Sequence, residues 1–272
     1  MVNIRKERKM LYYKTIIKSN ESEWVTLLHG AGGSSSIWFK QMRYYRKHFN
    51  ILLVDLRGHG KSANKEWKKN DSFKHLAKEV VDVLDYLKID KTHIIGMSLG
   101  TIVGQAMAES YPERISTLVL GGAIINVNLR TKFLLAVGRT IMNFVPYMLL
   151  YKLFAYIIMP KKAHEESRLR FVNEAKKVSQ KHFIKWVKLT KLVNPYLAHL
   201  QVATRDIPTL FIMGEEDYLF MPPVEKLVKE NENFTLEIIE EAGHVCNIDQ
   251  PEAFNQVSSK FIMKHLAKPI LL

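Results

Sequence analysis

Residues 92–111 read THIIGMSLGTIVGQAMAESY, a short apolar run that passes at once into a helical pattern. The run at 92–97 is rich in isoleucine and predicts a buried strand, and 99–111 predicts a helix. Ser98 stands between them in the pattern Gly-x-Ser-x-Gly. Glycines suit both sides of the serine because the chain turns tightly and its neighbours approach closely. A serine held on such a strand-to-helix turn has an exposed hydroxyl and is a candidate nucleophile.

Similar apolar runs recur along the chain on both sides of this turn. Each is short, rich in Val, Ile and Leu, and closed by glycine or a polar turn. We predict further buried strands at 24–29, 50–56, 116–122, 207–214 and 235–240. Amphipathic spacing predicts helices at 72–87 and 251–266. Strands that alternate with helices predict an α/β fold with a mostly parallel central sheet flanked by helices.

The alternation stops between residues 126 and 194, where no strand is predicted. Basic and apolar helical stretches, interrupted at Gly138, Pro146 and Pro160, take its place. We therefore predict one α/β domain, residues 1–123 and 204–272, with an all-helical insertion at 124–203.

The span 133–159 inside the insertion is apolar enough to suggest a membrane-spanning helix, which needs about 20 apolar residues. Arg139, Asn143, Pro146 and Lys152 interrupt it, so we predict two short buried helices instead. A helix hairpin lying on a membrane surface is the alternative. The apolar side chains must cover either the rim of the core or a pocket for an acyl chain; they include Phe133, Leu134, Leu135, Phe144, Leu149, Leu150, Phe154 and Ile157.

The net charge of +13 is concentrated in the insertion. Residues 124–203 hold 14 Lys or Arg against three acids, Glu165, Glu166 and Glu174, and so carry +11. Such a surface can attract anionic lipid or an acidic substrate, or it can simply keep the protein soluble. No nucleic-acid-binding motif accompanies the charge, so we expect no nucleic-acid partner.

Cysteine and histidine usage argues against disulfides and metal sites. Cys246 is the single cysteine, which excludes a disulfide framework. The ten histidines lie in no H-x-x-x-H or H-x-H pattern, and we expect neither a metal nor an organic cofactor.

Two features of the sequence favour a cytoplasmic location. The single cysteine favours a reducing compartment. The basic N-terminus lacks the apolar run of a signal peptide, so we expect a cytoplasmic protein.

Two polar loops near the end of the chain carry groups that can activate Ser98. A serine hydroxyl is a poor nucleophile at neutral pH, so it needs a general base and an acid that orients the base. Asp217 and His244 directly follow the last two predicted strands. They lie at the carboxyl ends of strands, the edge where open α/β sheets place their sites. Glu215 and Glu216 compete with Asp217 for the acid role.

A glycine-rich loop, HGAGGS at 29–34, ends the first predicted strand. It is not a G-x-G-x-x-G phosphate loop, because position 35 is serine. We predict that the backbone N–H groups of Ala31 and Leu99 form an oxyanion hole beside Ser98, helped by the helix dipole. An ordinary flexible turn is the alternative.

A second loop, DLRGHGKS at 55–62, contains Gly-Lys-Ser. A Walker A phosphate loop would need glycine at position 55, which is aspartate here. We expect Asp55 and His59 to brace the loop after the strand at 50–56. His59 is a poor candidate for the general base because it precedes the serine and a more suitable histidine follows.

Together these motifs resemble those of the α/β-hydrolase superfamily, and more narrowly of its single-domain bacterial esterase-like members. The resemblance covers the whole chain except the insertion and rests on His29-Gly30, Trp38, the stretches 55–62, 96–100, 111–114 and 214–217, and Gly243-His244. It implies that residues 126–194 form a helical cap that roofs the site. It also implies that Ser98, Asp217 and His244 form a catalytic triad.

The serine at position 98 excludes some groups of enzymes within the superfamily. Haloalkane dehalogenases and epoxide hydrolases are similar but carry aspartate there, and proline iminopeptidases carry tryptophan beside the serine, where this chain has Met97 and Leu99. The resemblance thus implies a serine hydrolase that acts on a carboxylic ester, thioester or lactone, a small acyl substrate with an apolar part. A carbon–carbon hydrolase or an acyltransferase with the same triad is one alternative, and a ligand receptor on a hydrolase fold is another.

Overall fold

The structure, a computed structural model, describes residues 2–5, 10–127, 136, 140, 144–189 and 193–267. Within these residues eight strands form one sheet, in the order β1-β2-β4-β3-β5-β6-β7-β8. Strands β3 to β8 are parallel to one another. The strands are β1 (Val2–Arg5), β2 (Tyr13–Ile16), β3 (Trp24–Leu28), β4 (Asn50–Val54), β5 (Thr92–Met97), β6 (Ile115–Gly121), β7 (Thr209–Gly214) and β8 (Phe234–Ile239).

Ten α-helices lie in the described part of the chain. Every residue of β4, β5 and β7 is buried, as expected for parallel strands whose two faces are both covered. The helices are α1 (Phe39–Tyr45), α2 (Phe73–Tyr86), α3 (Leu99–Ser110), α4 (Tyr147–Ile158), α5 (Glu165–Ala175), α6 (Gln180–Leu189), α7 (Val193–Ala203), α8 (Met221–Val228), α9 (Cys246–Asp249) and α10 (Pro251–Lys264).

All six strands predicted from apolar runs are present, with ends that differ by at most two residues from the prediction. The two remaining strands, β1 and β2, were not predicted. They pair antiparallel at the edge of the sheet, β1 with β2 and β2 with β4. Tyr13 and Thr15 of β2 are buried while Lys14 and Ile16 are half-buried. Four residues hold too few alternations for this pattern to stand out in a basic segment.

Between β6 and β7 the described residues form helices and no strand, as predicted. Helices α4 and α5 pack against each other, whereas α7 packs on α3 of the core. Leu197 and Leu200 of α7 are fully buried. This architecture is a mostly parallel α/β sheet with an inserted helical cap, and the bounds of the cap at 124 and 203 stay a prediction.

The second of the two helices predicted in the apolar span at 133–159 is present, but it is not buried on all sides. This helix is α4, and most of the first part of the span, including Phe133, Leu134 and Leu135, lies outside the described residues. Tyr151, Ala155 and Ile158 of α4 are buried, whereas Leu149 on the opposite face is 61% exposed. One buried face is enough to hold a helix in place, so apolar residues on the other face of α4 can remain exposed. No helix in the described ranges is both long and apolar enough to cross a membrane.

Candidate active site

Ser98 occupies a strained turn between β5 and α3. Its backbone φ of 51° lies in the left-handed region, which non-glycine residues rarely adopt. The neighbouring glycines are required by space, because a side chain at Gly96 would collide with the Gly100 backbone and one at Gly100 with the Leu28 carbonyl. The Ser98 N–H donates to the Gly121 carbonyl of β6 at 2.9 Å. The strand, turn and helix that the Gly-x-Ser-x-Gly motif predicted are therefore all present.

His244 and Asp217 meet Ser98 at the carboxyl edge of the sheet. His244 Nε2 lies 2.9 Å from Ser98 Oγ, and His244 Nδ1 lies 2.7 Å from Asp217 Oδ2. Both partner side chains are buried. An ionised carboxylate can only accept hydrogen bonds, so Nδ1 carries the proton and Nε2 is left to accept from the serine hydroxyl. The structure thus brings together the three residues that the sequence singled out.

The two glutamates that competed with Asp217 lie elsewhere. Glu216 pairs with Lys161, and its carboxylate lies 2.8 Å from His164 Nε2 in the cap. Glu215 accepts a weak hydrogen bond from the Glu241 N–H at 3.5 Å. Neither carboxylate contacts His244, so the geometry favours Asp217 as its partner.

The loop that follows β3 places Ala31 beside Ser98. The Gly30 carbonyl accepts hydrogen bonds from the Gly33 N–H at 3.0 Å and from His29 Nδ1 at 2.8 Å. Since a trans peptide directs its N–H opposite to its carbonyl, these bonds also fix the direction of the Ala31 N–H. Leu99 is the first residue of α3, where N–H groups have no acceptor inside the helix. Their position relative to a bound oxyanion stays a prediction.

Two buried histidines brace this loop from the side of β4. The Gly32 N–H donates to His59 Nε2 at 2.9 Å, and His59 Nδ1 lies 3.1 Å from the Arg57 carbonyl. His29 Nε2 accepts from the Leu56 N–H at 3.0 Å. In each ring one nitrogen accepts from a backbone N–H and so must be unprotonated. Burial lowers the pKa of both histidines, that of His59 strongly, and keeps them neutral.

Asp55 completes the brace. Its Oδ1 accepts from the Ser35 N–H at 2.7 Å and its Oδ2 from the Lys61 N–H at 2.8 Å, so one carboxylate joins the loops after β3 and β4. The structure agrees with the expected bracing roles of Asp55 and His59. His59 is not available as a general base, because both its ring nitrogens are hydrogen-bonded to backbone groups.

We expect the free energy of unfolding to fall in acid because of His29 and His59. Their folded pKa values lie below 6.5, the value of an exposed histidine. At a pH between the folded and the unfolded pKa of such a histidine, the unfolded chain binds more protons than the native one. The free energy of unfolding therefore rises with pH in this range. Thermal unfolding from about pH 7.5 to about pH 5 should show Tm decreasing once the pH drops below about 6.5. The variant with both His29→Gln and His59→Gln should have a smaller slope, of which His48 and His182, whose pKa values are also lowered by burial, keep a part. An unchanged slope would assign it to other groups.

Side chains of the cap contact the same loop. The Tyr151 hydroxyl of α4 donates to the Ala31 carbonyl at 2.6 Å, and its ring stacks on Phe171 of α5 with 4.5 Å between centroids. Ser34 Oγ donates to Glu174 Oε2 of α5 at 2.7 Å. None of the cap residues Tyr151, Phe171 and Glu174 was predicted to lie at the site, since none belongs to a motif. The one signal in the sequence was the apolar helical pattern of α4, which includes Tyr151.

Ser98 opens into a small cavity between core and cap. It is narrow and opens to solvent at its mouth. Its polar side chains are Ser98, His244 and Glu174, and its apolar ones are Ile37, Met97, Phe171, Val245 and Ile248. In the part of the chain that the structure describes, no three His, Cys, Asp or Glu side chains cluster so that they could hold a metal ion.

Comparisons with known proteins agree with this architecture. A protein of Bacillus subtilis (strain 168) named as a 2-succinyl-6-hydroxy-2,4-cyclohexadiene-1-carboxylate synthase is 26% identical over 258 residues, covering 89% of this chain and 91% of that one. A protein of Pantoea ananatis (strain LMG 20103) named as the carbamate hydrolase RutD is 23% identical and covers 95% of each chain. The solved enol-lactonase of Burkholderia xenovorans LB400 superposes with a TM-score of 0.77 at 20% identity, covering 93% of this chain and 96% of that one.

The family itself is identified by a sequence model of the alpha/beta hydrolase fold, which matches residues 23–251. This match spans the serine turn, the cap and the loops of Asp217 and His244. It covers well over half of the chain, and the protein therefore belongs to the α/β-hydrolase family.

Proposed function

We propose that the protein is a serine hydrolase that cleaves a carboxylic ester, thioester or lactone through an acyl-enzyme on Ser98. The observation that carries the proposal is the chain of hydrogen bonds from Asp217 through His244 to Ser98, with distances of 2.7 and 2.9 Å. It lies at the wall of a mostly apolar cavity. A base held between a nucleophile and a buried acid is the arrangement that acyl transfer requires.

In the first half of the proposed reaction, His244 Nε2 takes the proton of Ser98 as its oxygen attacks the carbonyl carbon. The N–H groups of Ala31 and Leu99 stabilise the oxyanion that forms, at the positive end of α3. His244 then protonates the leaving alcohol. In the second half His244 activates a water, which releases the acid and restores the serine. Asp217 keeps the Nδ1 proton in place throughout and stabilises the imidazolium.

The lining of the cavity supports a substrate with an apolar acyl part. Ile37, Phe171 and Ile248 can bury such a group, and each buried methylene contributes about 0.8 kcal/mol. The names of the relatives span a synthase, a carbamate hydrolase and a lactonase, so the ester is our own proposal for this chain. A cytoplasmic location stays a prediction.

A panel of p-nitrophenyl esters from acetate to octanoate tests this function. We expect hydrolysis, with kcat/KM rising about fourfold for each added methylene until the cavity is full. Phe171→Ala, which removes one wall of the cavity, should flatten this dependence on chain length. Leu169→Ala on the exposed side of the same helix should leave it unchanged.

The panel also separates the alternatives. A kcat/KM that is higher for the acetate ester than for every longer ester would reject the apolar acyl pocket. If an added alcohol were converted to a new ester faster than water releases the acid, the enzyme would be an acyltransferase with the same triad. An absence of turnover with every ester would contradict the proposed function.

A further inference from the structure

Helix α4 presents an apolar face to solvent. Leu149, Leu153 and Tyr156 are 61%, 58% and 59% exposed, and they follow one another at helical spacing. Phe144, just before the helix, is 87% exposed. Scattered exposed apolar residues are common, but a continuous row of leucine and aromatic side chains on one helix face marks a surface that binds something. Leu149, Lys152, Leu153 and Tyr156 are called the outer face of α4.

Packing within the protein does not need the outer face. The opposite side of α4 buries Tyr151, Ala155 and Ile158. It is further fixed by two hydroxyl groups: that of Tyr151 donates to the Ala31 carbonyl at 2.6 Å, and that of Tyr147 donates to the Val178 carbonyl at 2.5 Å. Within the described residues, the helix is thus held in the cap from one side, and its outer face is available to a partner.

The charges around the outer face are mainly positive. Lys152 lies within it, and the Arg168 guanidinium lies over the Tyr156 ring, 4.5 Å from its centroid. Lys162 is exposed in the segment that joins α4 to α5. Of the acids that begin α5, Glu166 is already paired with Arg170 at 2.9 Å and with Lys40 at 3.4 Å; Glu165 is the other. Residues 124–203 as a whole carry 14 basic side chains against three acidic ones.

We propose that the outer face of α4 docks on the surface of an anionic lipid bilayer, with the helix axis parallel to the membrane. Leucine and tyrosine side chains enter the interface, while Lys152, Lys162 and Arg168 contact anionic head groups. Twelve residues of helix span about 18 Å, against a hydrocarbon core of about 30 Å, so the helix lies on the membrane and does not cross it. This inference does not depend on the proposed hydrolase chemistry.

Co-sedimentation of the full chain with lipid vesicles tests the inference. We expect binding to vesicles of phosphatidylcholine mixed with phosphatidylglycerol to exceed binding to phosphatidylcholine alone by about tenfold or more. Binding should weaken as salt rises, because surface attraction is screened over about 8 Å at physiological ionic strength. The double variant with Leu149→Glu and Leu153→Glu should bind the anionic vesicles about tenfold more weakly or worse.

A control variant with the same change of charge shows whether the loss of vesicle binding is specific to the outer face of α4. Val202 on α7 and Ile238 on β8 are exposed apolar residues outside the outer face, and the double variant with Val202→Glu and Ile238→Glu should bind almost as well as the wild type. Circular dichroism and thermal unfolding of both variants establish that they are folded. Equal loss of binding in the two variants, or no binding of the wild type at low salt, would overturn the proposal. Concentration-dependent dimerisation that only the Leu149/Leu153 variant abolishes, without vesicle binding, would assign the face to a second copy of the chain and overturn it as well.

Discussion

Asp217→Asn should lower kcat on a p-nitrophenyl ester by about 10⁴-fold, as the corresponding change does in serine proteases. The carboxylate lies 2.7 Å from His244 Nδ1 and forces the proton onto that nitrogen. An amide can present its N–H₂ group instead, which stabilises the tautomer whose Nε2 is protonated. A protonated Nε2 cannot accept the proton of Ser98, so the nucleophile is not activated even though the geometry is preserved. Steady-state kinetics at neutral pH measure the effect.

Glu215→Gln and Glu216→Gln are the matched controls, because each replaces a neighbouring carboxylate by the same kind of amide. Neither side chain contacts His244: Glu216 pairs with Lys161 and His164 of the cap, and Glu215 accepts a hydrogen bond from the Glu241 N–H. We expect each variant to retain kcat within about tenfold of the wild type, since general acid–base catalysis is preserved. If Glu216→Gln were the inactive variant and Asp217→Asn were active, the assignment of the acid would be wrong.

The positions of Asp217 and His244 could be predicted because they depend on local signals. Buried parallel strands are continuous apolar runs, which identifies where each of β7 and β8 ends. The carboxyl ends of parallel strands meet at one edge of the sheet, so polar residues that follow two strands come together without any knowledge of their contacts. The same reasoning placed Ser98 between β5 and α3.

The contribution of the cap could not be predicted in this way. Tyr151 contacts Ala31 and Glu174 contacts Ser34 across more than a hundred residues of sequence. Helical periodicity tells that a helix has an apolar face but not which neighbour that face meets. In α4 both faces are rich in apolar residues, so the pattern predicted full burial where the structure leaves Leu149 exposed. Composition alone does not distinguish a buried helix from one whose second face binds a partner.

Ser98→Ala should reduce ester hydrolysis by about 10⁶-fold, the largest effect we expect from one substitution. The variant keeps the N–H groups of Ala31 and Leu99 and the cavity, so a residual rate of about 10³-fold over the uncatalysed reaction should remain. Thermal unfolding of the variant checks that the turn at 98 still folds. Alanine keeps the Cβ, so the strained φ of 51° is no harder to adopt than with serine. Retention of most of the activity would mean that another group is the nucleophile.

Reaction with a fluorophosphonate reports whether Ser98 is an activated nucleophile. The probe phosphonylates only a serine whose hydroxyl is activated by a base and whose oxyanion is stabilised. Intact mass followed by peptide mapping should find one adduct per chain, on the peptide that contains Ser98, and no adduct in Ser98→Ala. An adduct on a different serine, or none on a wild-type protein that still hydrolyses esters, would contradict the account.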